Sequence, residues 1–142
     1  MTAPNMLLAI SNLRPDETDA AVALWEACGL TRPWNDPRAD IALALGKPSS
    51  TVLAGRIDGK LVATAMAGSD GHRGWVYYLA VDPAAQRKGC GTAMMQAAAD
   101  WLRANNVPKL HVMIRSENLA VAAFYTKLGY EKSDTITMAK RL

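Results

Sequence analysis

The strand-like run Trp75 to Val81 passes through Asp82-Pro83-Ala84-Ala85-Gln86-Arg87-Lys88-Gly89-Cys90-Gly91-Thr92 into a segment whose apolar residues Met94, Ala97, Ala98, Trp101 and Leu102 fall at helical spacing. A strand that feeds an amphipathic helix through a short glycine-bearing turn limits the chain to folds that lay helices against a sheet. It also creates a particular surface. The first N–H groups of a helix have no intrahelical partner, and the aligned peptide dipoles place partial positive charge at the same end. A phosphate suits such a turn. Glycine at 89 and 91 keeps side chains away from the backbone, and Arg87 and Lys88 add full positive charge beside it.

The surrounding chain is read as one domain, residues 1–142, because 142 residues of which 50% are hydrophobic supply one core and no second comparable one. A net charge of +3 and a pI of about 9.0 are mildly basic and do not favour a nucleic-acid partner; a small anionic ligand accounts for them equally well. Cys28 and Cys90 are too few for a disulfide framework, and with His72 and His111 they form no metal-ligand spacing, so no metal is expected. Met1 to Leu13 lacks the charged start and long apolar core of a signal peptide, and no apolar stretch approaches the roughly 20 residues of a membrane span. The expectation is a soluble, cytoplasmic protein without a membrane partner.

Along the chain, Met6 to Leu13 reads as a strand, and Pro15-Asp16-Glu17 opens a helix with Ala21, Leu24, Trp25 and Cys28 on one face, closed by Gly29. A two-proline loop, Leu30 to Pro37, leads to a short helix around Asp40 to Leu45. Thr51 to Ile57 and Lys60 to Ala67 flank Asp58-Gly59, a strong hairpin signal, and Trp75 to Val81 is expected as the central strand. Leu110 to Ile114 reads as a strand and Asn118 to Leu128 as a helix with Leu119, Ala122 and Ala123 inward; Tyr130 to Leu142 is expected as a closing hairpin. The order predicts an α/β (α+β) fold, a mixed sheet flanked by helices.

Spacing sorts the phosphate-binding loops. Lys88 precedes the glycines, and no residue after them is placed to hold magnesium as a P-loop requires. Met94 occupies the third glycine position of a dinucleotide fingerprint, and several strands come before the loop.

What remains, Gln86-Arg87-Lys88-Gly89-Cys90-Gly91, resembles the Gln/Arg-x-x-Gly-x-Gly/Ala pyrophosphate loop of the GNAT superfamily of N-acetyltransferases. Beginning 27 positions after Gly91, Asn118-Leu119-Ala120-Val121-Ala122-Ala123-Phe124-Tyr125-Thr126-Lys127-Leu128-Gly129-Tyr130 resembles the second signature of that superfamily. The likeness covers essentially the whole chain. More narrowly, Leu30 to Pro37, Asp70 to Gly74 and Tyr77-Tyr78-Leu79 look like segments of the small YpeA-type bacterial acetyltransferases.

The resemblance implies a largely antiparallel central sheet, acetyl-CoA as acyl donor without a metal, and transfer to a primary amine by direct attack in a ternary complex. It assigns the donor to Leu79, Ala80 and Val81 on the strand, to Gln86, Arg87, Lys88, Gly89, Cys90, Gly91 and Thr92 in the loop, and to Asn118 and Tyr125. Asparagine at 118 is equally a helix N-cap. Tyr125 matches the general acid, since a phenol can deliver a proton to a departing thiolate. Relatives often carry a glutamate base on the central strand; here stand Tyr77 and Tyr78, candidates for base or water relay, with Glu117 and Asp36 as neighbouring carboxylates. Trp34, Asn35 and Asp36 are candidates for the wall that receives a small-molecule or peptide amine, where a ring and a carboxylate suit a cation. Cys90 as a nucleophile, and His72 and His111 as anything but solvated and packed residues, are disfavoured by their surroundings in sequence.

Two other readings stay open: a CoA-binding sensor without turnover, suggested by the missing strand carboxylate, and a toxin-type acetyltransferase acting on aminoacyl-tRNA. Relatives often pair through sheet edges, so the resemblance also allows a homodimer.

Overall fold

Asp58 and Gly59 both adopt positive φ, 51° and 77°, which is the geometry of the tight turn that matches the twist of two antiparallel strands. In the computed structural model, which describes residues 8–142, this turn joins β2 (Ser50–Ile57) to β3 (Lys60–Ser69). With β1 (Ala9–Asn12), β4 (Gly74–Val81) and β5 (Leu110–Val112) they form one sheet in the order β1-β2-β3-β4-β5. Pairing is antiparallel from β1 to β4 and parallel between β4 and β5. The middle strand is therefore β3, not the Trp75–Val81 run; the long helix between β4 and β5 makes a crossover that leaves β4 one strand from the edge.

Strand alternation sends residues to both faces. On one face, Leu53, Ala63, Ala65, Ala67 and Val76 pack under α3 (Cys90–Ala104) and α4 (Leu119–Lys127). Cys90, Met94, Met95, Ala98 and Leu102 form the buried stripe of α3, and complete burial of Met94, Met95 and Leu102 contributes roughly 1.5–3 kcal/mol each. On the other face, Val52, Ala54 and Ala80 meet α1 (Thr18–Ala27) and α2 (Pro37–Leu45) through Leu24, Trp25 and Ile41. The expected apolar face of α1 is thus the one that packs, and α2 starts earlier than its apolar residues suggest because Asp36 caps it, accepting from the Arg38 and Ala39 amides.

Two expectations are corrected. The residues from Glu131 to Leu142 form no strand: Ile136 and Met138 are exposed, and the Arg141 guanidinium donates to the Trp34 carbonyl. Alternation alone does not make a hairpin when no ladder partner meets it. In α4, Leu119 and Ala123 face solvent, while Tyr125 is buried and Val121, Phe124 and Leu128 pack against the core. Apolar residues surround this helix, so its inner face is set by the large rings rather than by a stripe. The Met6–Leu8 start of the expected first strand lies largely outside the described residues.

Candidate functional site

Strands β4 and β5 pair only from Gly74 to Val76 against Leu110 to Val112, whereas β4 continues to Val81. Beyond Val76 the sheet opens. The gap widens into a cleft of about 1660 Å³ that runs from α1 and α2, past β4, to the glycine-bearing loop and the start of α4.

The strand bordering this cleft, β4, is bulged where it pairs with β3. Thr64 pairs with Ala80 and Met66 with Tyr77, so Tyr78 and Leu79 together stand opposite Ala65. Tyr78 has φ of 52°, a conformation a tyrosine holds only when its surroundings fix it. They do so at three points. The Thr64 hydroxyl, itself accepting from the buried Trp25 indole N–H at 2.8 Å, donates to the Tyr78 carbonyl at 2.9 Å. The Trp25 and Tyr78 rings stack with centroids 3.7 Å apart and planes 4° from parallel. The Tyr78 phenol donates to Asp40 Oδ2 on α2 at 2.8 Å.

At the other end, Asp82 caps a single turn, Pro83–Ala85, and the Gln86 side-chain amide donates to the Val81 carbonyl at 3.0 Å. Arg87 has φ of 64° and Gly89 of 84°, and Gly89 is the N-cap of α3. A Cβ on Gly89 would meet no atom within 4 Å, so glycine is needed there for its backbone angle and the space beside it stays open. A Cβ on Gly91 would lie 3.4 Å from Phe124 Cζ, an ordinary contact. The first intrahelical bond of α3 runs from the Ala93 amide to the Gly89 carbonyl, which leaves the amides of 90–92 without an intrahelical partner. Open space, aligned amides and Arg87 fit the diphosphate of a coenzyme A thioester.

Gln86, Arg87, Gly89, Cys90, Gly91 and Thr92 line the cleft, as do Leu79, Val81, Tyr77 and Tyr78 on β4 and Asn118 and Tyr125 on α4. Ala80 points into the opposite core, and Lys88 and Glu117 are exposed outside the lining. Of the expected acceptor residues Asn35 lines the cleft; Trp34 is 55% exposed elsewhere, and Asp36 is committed to capping α2. Asn118 accepts from the Val121 amide at 3.3 Å, so it does cap α4. Tyr125 is buried, its hydroxyl donates to Met95 Sδ at 3.8 Å as its one hydrogen-bond partner among the described residues, and burial pushes its pKa up to about 12. Burial also raises Tyr77, and burial together with the Asp40 hydrogen bond raises Tyr78, so neither phenol supplies a base near neutrality.

Sequence reasoning missed Trp25, Thr64 and Asp40 as parts of this site. The available signal was Thr64 itself, a hydroxyl inside an alanine-rich buried strand, which has to find partners. Among the described residues no group of three or more His, Cys, Asp or Glu is placed to hold a metal ion. None of the described helices is long and apolar enough to cross a membrane.

Residues 11–130 match the family model described as the acetyltransferase (GNAT) family. The chain belongs to the GNAT acetyltransferases. It is 42% identical to an acetyltransferase of Pectobacterium atrosepticum over 135 residues, covering 95% of this chain and 96% of that relative. Among solved structures, this GNAT chain is similar to an aminoglycoside N-acetyltransferase in complex with CoA, with a TM-score of 0.82 at 14% identity, covering 99% of each. It is also similar to the ribosomal-protein-S18-alanine N-acetyltransferase from Escherichia coli, with a TM-score of 0.76 at 24% identity, covering 89% of this chain and 79% of that one. The five-stranded mixed sheet flanked by four helices is the fold of these GNAT enzymes.

Proposed function

We propose that this acetyltransferase uses acetyl-CoA as donor and moves the acetyl group to a primary amine by direct attack within a ternary complex. The observation that carries this reading is the parting of β4 and β5 beside the open, glycine-bearing start of α3. Backbone amides of 87–92, with Arg87, hold the diphosphate, and the bulged backbone at Tyr78–Leu79 faces the thioester.

The amine nitrogen forms its new bond to the acetyl carbon as the carbon–sulfur bond breaks. Tyr125 donates its proton to the departing sulfur; with its pKa pushed up to about 12 it is protonated throughout the working range, and its weak contact with Met95 leaves that proton available. The amine loses its proton to water, because no carboxylate stands on β4 and the two phenols there are held neutral, and the Tyr125 phenolate regains a proton from water. The acceptor is a small-molecule or peptide amine. Two free cysteines suit a reducing, cytoplasmic setting.

The test is thiol release from acetyl-CoA across a panel of primary amines, with the acetylated product identified by mass spectrometry. Turnover with at least one amine, slowed by Tyr125→Phe, supports the enzyme. Acetyl-CoA binding without turnover supports the sensor reading instead.

A further inference from the structure

Asp40 lines the cleft from the first turn of α2, where it is half-buried. Its Oδ2 accepts from the Tyr78 phenol, and Tyr78 is fixed by the Trp25 stack and by the Thr64 hydroxyl on its carbonyl. Its Oδ1 has no protein hydrogen-bond partner among the described residues, and none of the ion pairs formed among them includes Asp40.

The charges around it sharpen the point. The other carboxylate lining the cleft, Asp70, is spent: Oδ1 accepts from the His72 and Arg73 amides and Oδ2 from the Trp75 indole. Arg32 is turned onto the Gly29 and Thr31 carbonyls. Arg87 belongs to the glycine-bearing loop and Arg115 to the segment after β5, and Lys47 lies beyond the far end of α2, roughly 10 Å along the helix by its rise per residue. This half-exposed, anchored carboxylate, with a spare oxygen and no protein cation beside it among the described residues, offers a place for a cation brought by the ligand. The Tyr78 side chain also sets the reach, because it separates Asp40 from the bulged backbone by the length of a phenol.

We propose that Asp40 is the counter-ion for a second ammonium of the acceptor, so that the acceptor class is diamines and polyamines, one nitrogen reacting at the bulge and another held at α2. This rests on the acetyl-transfer reading above.

The experiment measures acetyl transfer by the full chain to cadaverine and spermidine against pentylamine, for wild type, Asp40→Asn and Tyr78→Phe, with acetyl-CoA affinity measured separately by calorimetry. Asparagine keeps an acceptor for the Tyr78 phenol and removes the charge. The expected result is at least a tenfold preference in kcat/KM for the diamine and polyamine, abolished in Asp40→Asn chiefly through KM. Tyr78→Phe, which frees the carboxylate to move, reduces the preference about threefold or more. Acetyl-CoA affinity stays within about twofold throughout. Equal use of pentylamine, a preference that survives Asp40→Asn, parallel loss of acetyl-CoA affinity, or no transfer to any diamine or polyamine overturns the assignment. Failure of the transfer reading itself looks different: the wild type transfers acetyl to no amine at all, pentylamine included, whether or not it binds acetyl-CoA.

Discussion

The Thr64 hydroxyl donates to the Tyr78 carbonyl at 2.9 Å, tying the buried centre of β3 to the residue of β4 whose φ is positive. Because the same oxygen accepts from the fully buried Trp25 indole, one side chain satisfies both that indole and the half-buried Tyr78 backbone.

Thr64→Val keeps the shape of the side chain and removes both bonds. Leaving the buried indole N–H unpaired is expected to destabilise the fold by about 1–3 kcal/mol, with a smaller loss from the half-buried Tyr78 carbonyl. Relaxation of the bulge is expected to lower kcat about tenfold or more with acetyl-CoA affinity little changed. Thermal melts and steady-state kinetics check both.

Gly89 and Gly91 are expected to behave differently despite their shared motif. Gly89→Ala forces a φ of 84° on a residue with a Cβ and costs about 1–2 kcal/mol. Gly91→Ala puts a Cβ at ordinary distance from Phe124 inside a helix, where alanine is favoured over glycine by up to about 1 kcal/mol. Denaturant unfolding is expected to show the first variant below wild type and the second at or above it.

Tyr125→Phe is expected to lower kcat by about a hundredfold to ten-thousandfold, the range of a lost proton donor. Since the phenol is pushed up to about 12, its ionisation produces no falling limb until the pH approaches that value. The rate for a simple amine acceptor is expected to rise with pH as the amine deprotonates and then level. A pH–rate profile that falls near pH 10 contradicts this.

Glu17 is buried with Arg56, which donates from Nε at 2.8 Å and holds the carboxyl down to about 2, mainly through that side-chain hydrogen bond. A carboxyl depressed in the folded state contributes stability that is fully present above its unfolded value of about 4.3 and lost as pH falls toward 2. Unfolding free energy is therefore expected to drop steeply from about pH 4.5 down to about pH 2, with a shallower drop in Glu17→Gln. Urea titrations across that window measure it.

Much of the fold was legible because its cues are local. Asp58-Gly59 specifies its hairpin by backbone angle, Gly29 and Gly46 mark helix ends, and the α3 stripe has a clear period. The loop of 86–92 and the Asn118 cap were legible for the same reason. What sequence did not show depends on pairing at a distance. The place of β4 in the sheet is decided by β5, whose three residues give little signal of their own. The bulge is decided by contacts of Tyr78 with Trp25, Thr64 and Asp40, which lie 53, 14 and 38 positions away. Asp36 drew attention as the carboxylate beside Trp34, yet its backbone-capping role removes it, and Asp40, one turn further on, enters the cleft.

The central claim is that the start of α3 grips the diphosphate of acetyl-CoA. Calorimetric titration of acetyl-CoA into the full chain tests it most directly, with Gly89→Asp as the paired variant, which puts a carboxylate into the open space beside that helix end. The account predicts saturable one-to-one binding by the wild type, weakened at least tenfold in a variant that still melts cooperatively. No binding by the folded wild type, or undiminished binding by Gly89→Asp, would contradict it.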